Sequence, residues 1–152
     1  MNETAPAARP RIVAWLGYGG LIPFLALAAL ACVDRERTVL WHASLRAYGA
    51  VILSFVGALH WGFAMTHSEM TPQQRNAAFG WSVVPALVAF VALVVNSALG
   101  DVLLVAGFVA NYWRDVRLRA TVPLPAWYLP LRLRLSIVAI LCIGAGAVAA
   151  SQ

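Results

Sequence analysis

The chain has 152 residues, 62% of them hydrophobic and 11% charged, with a formal net charge of +5. So little polar surface cannot wrap a soluble globule of this size, and a lipid bilayer is the solvent the composition fits. All 11 cationic residues are arginines that flank apolar segments, not a basic run interleaved with exposed aromatics, which argues against a nucleic-acid reader and for a topology signal.

A membrane-spanning helix needs about 20 mainly apolar residues. Five segments answer that description: Ile12 to Cys32, Ala47 to Met65, Ala77 to Val95, Ser97 to Trp113, and Leu131 to Ala150. The predicted fold is all-α, a polytopic bundle of five transmembrane helices with an interfacial elbow before the last. Residues 1–11 form an N-terminal tail and residues 12–150 a single domain.

In the first segment "LALAALAC" has the look of a cleavable signal. Its apolar run is long for a signal core, and Ala29 stands three before Cys32, so an uncleaved first span is the expectation. Pro23 follows "GYGGLI" and predicts a kink by disturbing the carbonyl of Gly19. Gly17, Gly19 and Gly20 would admit a neighbouring helix closely.

In the second span Ala50, Ser54, Gly57, Trp61 and Ala64 share one face at helical spacing, as close packing in lipid requires. His60 sits on the flank of that face and is expected to point into the bundle. An imidazole at membrane depth reads in two ways. It is either a neutral ring tied to a neighbouring helix, or a ligand or proton-handling group. In the second reading His60, Trp61 and Ser54 line a cofactor-binding pocket for haem, quinone or lipid. A transmembrane b-type haem usually takes two histidines, and His42 and His67 are expected in loops, so haem would need a ligand from a second copy or a partner.

Pro85, after "WSVV", predicts a second kink at the carbonyl of Trp81. Broken helices mark substrate sites in some transporters, but without an internal repeat two packing kinks are the simpler expectation. Asp101, after "NSALG", reads as a cap in the first turn of the fourth span, favoured by free amides and the helix dipole. His60 and Asp101 lie near opposite interfaces, so a direct pair between them is not expected. Asp115 is expected to make local surface ion pairs with Arg114 and Arg119, and the nearby arginines could hold anionic headgroups.

The stretch from Arg114 to Pro130 contains Pro123, Pro125 and Pro130 and cannot be one regular helix. It is the predicted elbow. Trp41, Tyr112, Trp113, Trp127 and Tyr128 fall at span edges, the headgroup level that Trp and Tyr favour. Arg132 and Arg134 open the last span and are expected to snorkel outward, while Gly144 and Gly146 allow close packing. Cys32 and Cys142 form no CxxC pair, so neither a disulfide framework nor a metal site is supported.

Cytoplasmic loops keep the excess of positive residues. With five spans, one side holds Arg9, Arg11, Arg75, Arg114, Arg117, Arg119, Arg132 and Arg134, and the other Arg35, Arg37 and Arg46. The N-terminus is therefore expected in the cytoplasm and the C-terminus in the periplasm. There is no HExxH, no phosphate-cradling glycine loop with a lysine, and no nucleophile with a placed base, so a non-enzymatic protein is expected.

"YGAVILSFVGALHWG" from Tyr48 to Gly62, then "NYWRDVRL" and "LPAWYLPLRLRLS", resembles the bacterial and mitochondrial family that includes transmembrane protein 69, and "GYGGLIPF" fits its first span. The most specific part is Phe55, Gly57, His60, Trp61 and Gly62. The resemblance runs from about Gly17 to Ala150. It implies a small helical inner-membrane protein, with mitochondrial relatives pointing to an energy-transducing membrane, and no catalytic residues to carry over. The first functional expectation is an accessory or assembly subunit that packs against itself or a larger membrane complex, a respiratory one included. The alternative is the cofactor binder built on His60.

Overall fold

The computed structural model describes residues 10–152. The cytoplasmic tail expected at the N-terminus lies almost wholly outside the described residues. Six α-helices follow: α1 (Arg11–Gly19), α2 (Ile22–Val33), α3 (Thr38–Thr66), α4 (Pro72–Val94), α5 (Ser97–Leu118) and α6 (Tyr128–Ala150), with a short 3-10 turn at Arg35–Arg37 before α3. Together α1 and α2 make the first of the five expected spans. The protein is an all-α polytopic membrane protein.

Pro23 does more than kink the first span. It stands in the first turn of α2, where its missing amide costs nothing, and the chain breaks at Gly20 and Leu21. The carbonyl of Gly20 is satisfied from outside by the Tyr48 hydroxyl of α3 at 2.9 Å. Pro85, by contrast, stays inside a continuous α4.

Four segments are long and apolar enough to cross a membrane: Arg11–Val33, Arg35–Thr66, Pro72–Val94 and Tyr128–Ala150. The 22-residue α5 is as long as its neighbours, but Asp101, Asn111 and Asp115 lower its apolarity, and all three are buried. Its buried stripe runs Asp101, Leu104, Phe108, Asn111, Asp115 and Leu118, spaced alternately by three and four residues. That is the 3.5-residue seam of helices packed at a shallow angle. α3 repeats the pattern with His42, Arg46, Gly49, Leu53, Val56 and His60. It is the central helix, in contact with α2, α4, α5 and α6.

The main core joins Phe24 and Ala28 of α2, Leu45, Ala50, Leu53 and Val56 of α3, Ala89 and Ala92 of α4, Leu104 and Phe108 of α5, and Ala139 and Ile143 of α6. A smaller cluster of Ala64, Met70, Ala78, Leu118 and Val122 closes one end. Val122 belongs to the elbow between α5 and α6, and it is buried there because the chain folds back under the bundle. The Val122 amide reaches the Leu118 carbonyl at 2.9 Å and the Thr121 hydroxyl does so at 3.0 Å. Pro130 falls in the first turn of α6, where a proline is tolerated.

Candidate functional site

The polar groups of the bundle collect in two layers, one near each end of α3 and α5. Asp101 and Asp115 are separated by 14 residues of α5, about 21 Å of helix axis. Between them lie Leu53, Leu104, Phe108 and Ile143, all buried.

At the end carrying the Arg35–Arg37 turn, both oxygens of Asp101 lie within hydrogen-bond reach of His42 Nε2, at 3.1 and 3.0 Å. Arg46 Nε stands 3.4 Å from Asp101 Oδ1. Its Nη2 donates to the carbonyl of Ala92, one of the last carbonyls of α4 that have no helical partner. A cation there also suits the negative end of the α4 dipole. The guanidinium passes directly over Gly100, where any side chain would collide with Arg46 and with the Ala92 carbonyl.

This arrangement corrects three expectations. His42 is not in a loop, because α3 begins nine residues before the expected Ala47 and carries His42 in its first turns. Arg46 is therefore a buried helix residue and no longer counts among loop arginines. Asp101 is not a cap. Asn96 is the N-cap of α5, its Oδ1 accepting the Leu99 amide at 3.0 Å, whereas Asp101 lies a turn inside, beyond the free amides, facing α3.

The second layer is built around Asp115, which is fully buried. Its Oδ2 accepts from Arg132 Nε of α6 at 2.9 Å. Its Oδ1 accepts from the Tyr128 hydroxyl at 3.4 Å and stands 3.4 Å from His60 Nε2 of α3. Nearby, Trp81 Nε1 of α4 donates to Asn111 Oδ1 at 3.2 Å. One carboxylate thus ties α5 to α6 and stands against His60 of α3, with α4 joined to α5 through Asn111.

Again the structure overturns surface readings. Asp115 does not pair with its exposed neighbour Arg119, since its position on the 3.5-residue stripe turns it inward. Arg132 does not snorkel, because Asp115 holds it in the bundle, while Arg134 is exposed as expected. Tyr128 is buried at 9% exposure instead of lying half wet.

Of the candidate pocket residues, His60 has no exposed surface and neither ring nitrogen makes a hydrogen bond of ordinary geometry. Trp61 is 51% exposed and packs edge-on against Phe79. Ser54 bonds back to the Ala50 carbonyl at 2.8 Å. The expected face was centred too far round: Ala50, Gly57 and Ala64 are buried, but the stripe runs through Leu53, Val56 and His60, which leaves Trp61 outward. His42 supplies a second buried histidine, yet 18 residues of α3, about 27 Å, separate it from His60, too far to share one haem. Among the described residues no three His, Cys, Asp or Glu side chains are placed to share a metal ion.

A family profile described as "Protein of unknown function (DUF3429)" matches residues 9–148. Over 134 residues the chain is 35% identical to transmembrane protein 69 of Xenopus tropicalis, covering 86% of this chain and 51% of that protein. It is 29% identical over 93 residues to transmembrane protein 69 of Mus musculus, covering 60% of this chain and 37% of that one. The chain spans about half the length of the frog relative and less of the mouse one. No solved structure matches it.

Proposed function

We propose that this chain, which belongs to the DUF3429 family of transmembrane-protein-69-like proteins, is a non-enzymatic accessory or assembly subunit of the bacterial inner membrane that receives a helix from a second copy or a larger complex. The observation that carries this reading is a groove of about 1000 Å³ on the outer surface of the bundle, between the α2–α3 junction and α6. Beside Val39, Val105, Ile140, Leu141, Val148, Arg35 and Gln152, half of its wall is small residues, among them Ala31, Gly144 and Ala145. In lipid, helices associate through close packing at such residues, since the tails are as apolar as leucine and provide no hydrophobic drive. A Cβ at Gly144 would meet no atom within 4 Å, so this glycine is not needed for packing inside the chain.

The ion pairs support the same reading. Each buried acid is matched by a cation of another helix of this bundle, which is what a self-sufficient scaffold requires. The arginine asymmetry supports an N-terminus in the cytoplasm and a C-terminus in the periplasm.

The test is photo-crosslinking in native membranes from a reactive residue placed at Ala145, with one at outward-facing Phe90 of α4 as the control. A discrete adduct from position 145, lost in Gly144→Leu, is expected. Recovery of the chain alone from position 145 at every expression level would overturn the reading.

A further inference from the structure

Arg132 is held by Asp115 through Nε, but its Nη2 is buried without a partner. One helical turn further into the membrane, the Ser136 hydroxyl is also buried without a partner. The two residues are 6% and 5% exposed and lie four apart on α6, so they share a face. Both line the same cavity, which has a volume of about 110 Å³ and lies between the α1–α2 break, α3 and α6. Unmatched donors cost free energy in a dry interior, more so for a charged group, and two of them on one cavity wall point to an acceptor that comes from outside the chain.

The rest of the wall is apolar and includes the rings of Phe24, Phe55 and Phe108. Leu16 and Phe55, at 69% and 63% exposure, stand where the cavity opens sideways to lipid. Gly17 and Gly20, beside the break between α1 and α2, line the cavity without side chains to fill it. An enclosed apolar cavity of roughly 150 Å³ takes up benzene, so this one, smaller but open on its lipid side, has room for no more than one small ring and not for a whole phospholipid.

Charge narrows the class. Arg132 is already balanced by Asp115 at 2.9 Å, so an anionic phosphate would add a second negative charge beside that carboxylate in a low-dielectric setting. A neutral oxygen would not. We propose that this cavity binds the head of an uncharged, lipid-soluble ring carbonyl, the chemistry of a membrane quinone. The carbonyl oxygen accepts from Arg132 Nη2 and Ser136 Oγ, the ring lies among the phenylalanines, and the apolar tail leaves past Leu16 and Phe55. The site is distinct from the groove at Gly144, so a chain without a protein partner would leave this proposal standing, and the reverse.

The probe is a decyl-substituted benzoquinone, titrated into nanodiscs that hold the purified full chain, with protein-free nanodiscs correcting for partition. Saturable binding at one molecule per chain is expected. Loss of one neutral hydrogen bond of about 1 kcal/mol corresponds to roughly fivefold, so Ser136→Ala is expected to weaken binding about fivefold. Ser136→Thr, which keeps the hydroxyl, is expected to retain it, and Ser136→Leu, which fills the cavity, to abolish it. Absence of saturable binding overturns the proposal, as does binding that Ser136→Ala and Ser136→Leu both leave unchanged. So does a stoichiometric glycerolipid that co-purifies with the wild type, is lost in Ser136→Leu and is not displaced by the quinone. If Ser136→Leu fails to fold, the Ala and Thr pair decides.

Discussion

Asp115 accepts a charge-assisted bond from Arg132 and neighbours His60 and Tyr128, so removing the acid alone differs from removing the whole pair. Asp115→Asn keeps the shape and leaves the Arg132 charge buried without its counter-ion, and loss of one member of a buried pair costs about 3–5 kcal/mol. A double variant with Asp115→Leu and Arg132→Met removes both charges together, and such replacements are often close to neutral. We expect Asp115→Asn to unfold at markedly lower denaturant in detergent micelles and the double variant to recover most of the loss. An Asp115→Asn protein with an unchanged unfolding midpoint would show that the pair is not what holds α5 to α6.

At the scale of helices, Gly57 of α3 fits closely against Pro85 of α4. A Cβ at Gly57 would lie 2.6 Å from Pro85 Cγ and 2.7 Å from its Cβ, so the proline ring fills the space that the glycine leaves. Gly57→Ala must push the helices apart, at a cost of about 1–3 kcal/mol for overpacking. Pro85→Ala removes the ring and returns an amide to the Trp81 carbonyl. The two changes are therefore expected to couple: in a cycle read by thermal unfolding, Gly57→Ala should cost clearly less in the Pro85→Ala background. Strict additivity would mean the ring and the glycine are not in contact. Helix existence was plain from apolar length alone, since lipid leaves few other backbone solutions. The two ionic layers were harder to read, although the alternating three- and four-residue spacing from Asp101 to Leu118 was present in the sequence. Starting the second span at Ala47 cut His42 and Arg46 away from it, because apolar length marks only the part of a helix inside the slab. α3 has 29 residues, about 43 Å, and outruns a hydrocarbon core of about 30 Å. Which cation each acid meets depends on how neighbouring helices are rotated, and no local pattern encodes that.

For the molecule as a whole, the buried layers change which arginines speak for orientation. Arg46 and Arg132 are buried in helices and bound to acids of the chain, so neither reports on a loop. What remains among the described residues is Arg35 and Arg37 at one end, against Arg11, Arg75, Arg114, Arg117, Arg119 and Arg134 at the end that also carries the start of α1. The asymmetry keeps its sign, so it supports the proposed orientation, with the elbow in the cytoplasm and the α2–α3 junction in the periplasm. Reporter fusions should accordingly place the N-terminus inside and the C-terminus outside. Removing the Arg35 and Arg37 charges only widens this asymmetry, so we expect Arg35→Gln and Arg37→Gln together to leave both reporters unchanged. Reporters that put the two ends in one compartment would require an even number of crossings. In that event α5 could not run through the membrane beside α3, and Asp101 and Asp115 could not lie at opposite ends of the same bundle, each holding a cation of a different helix.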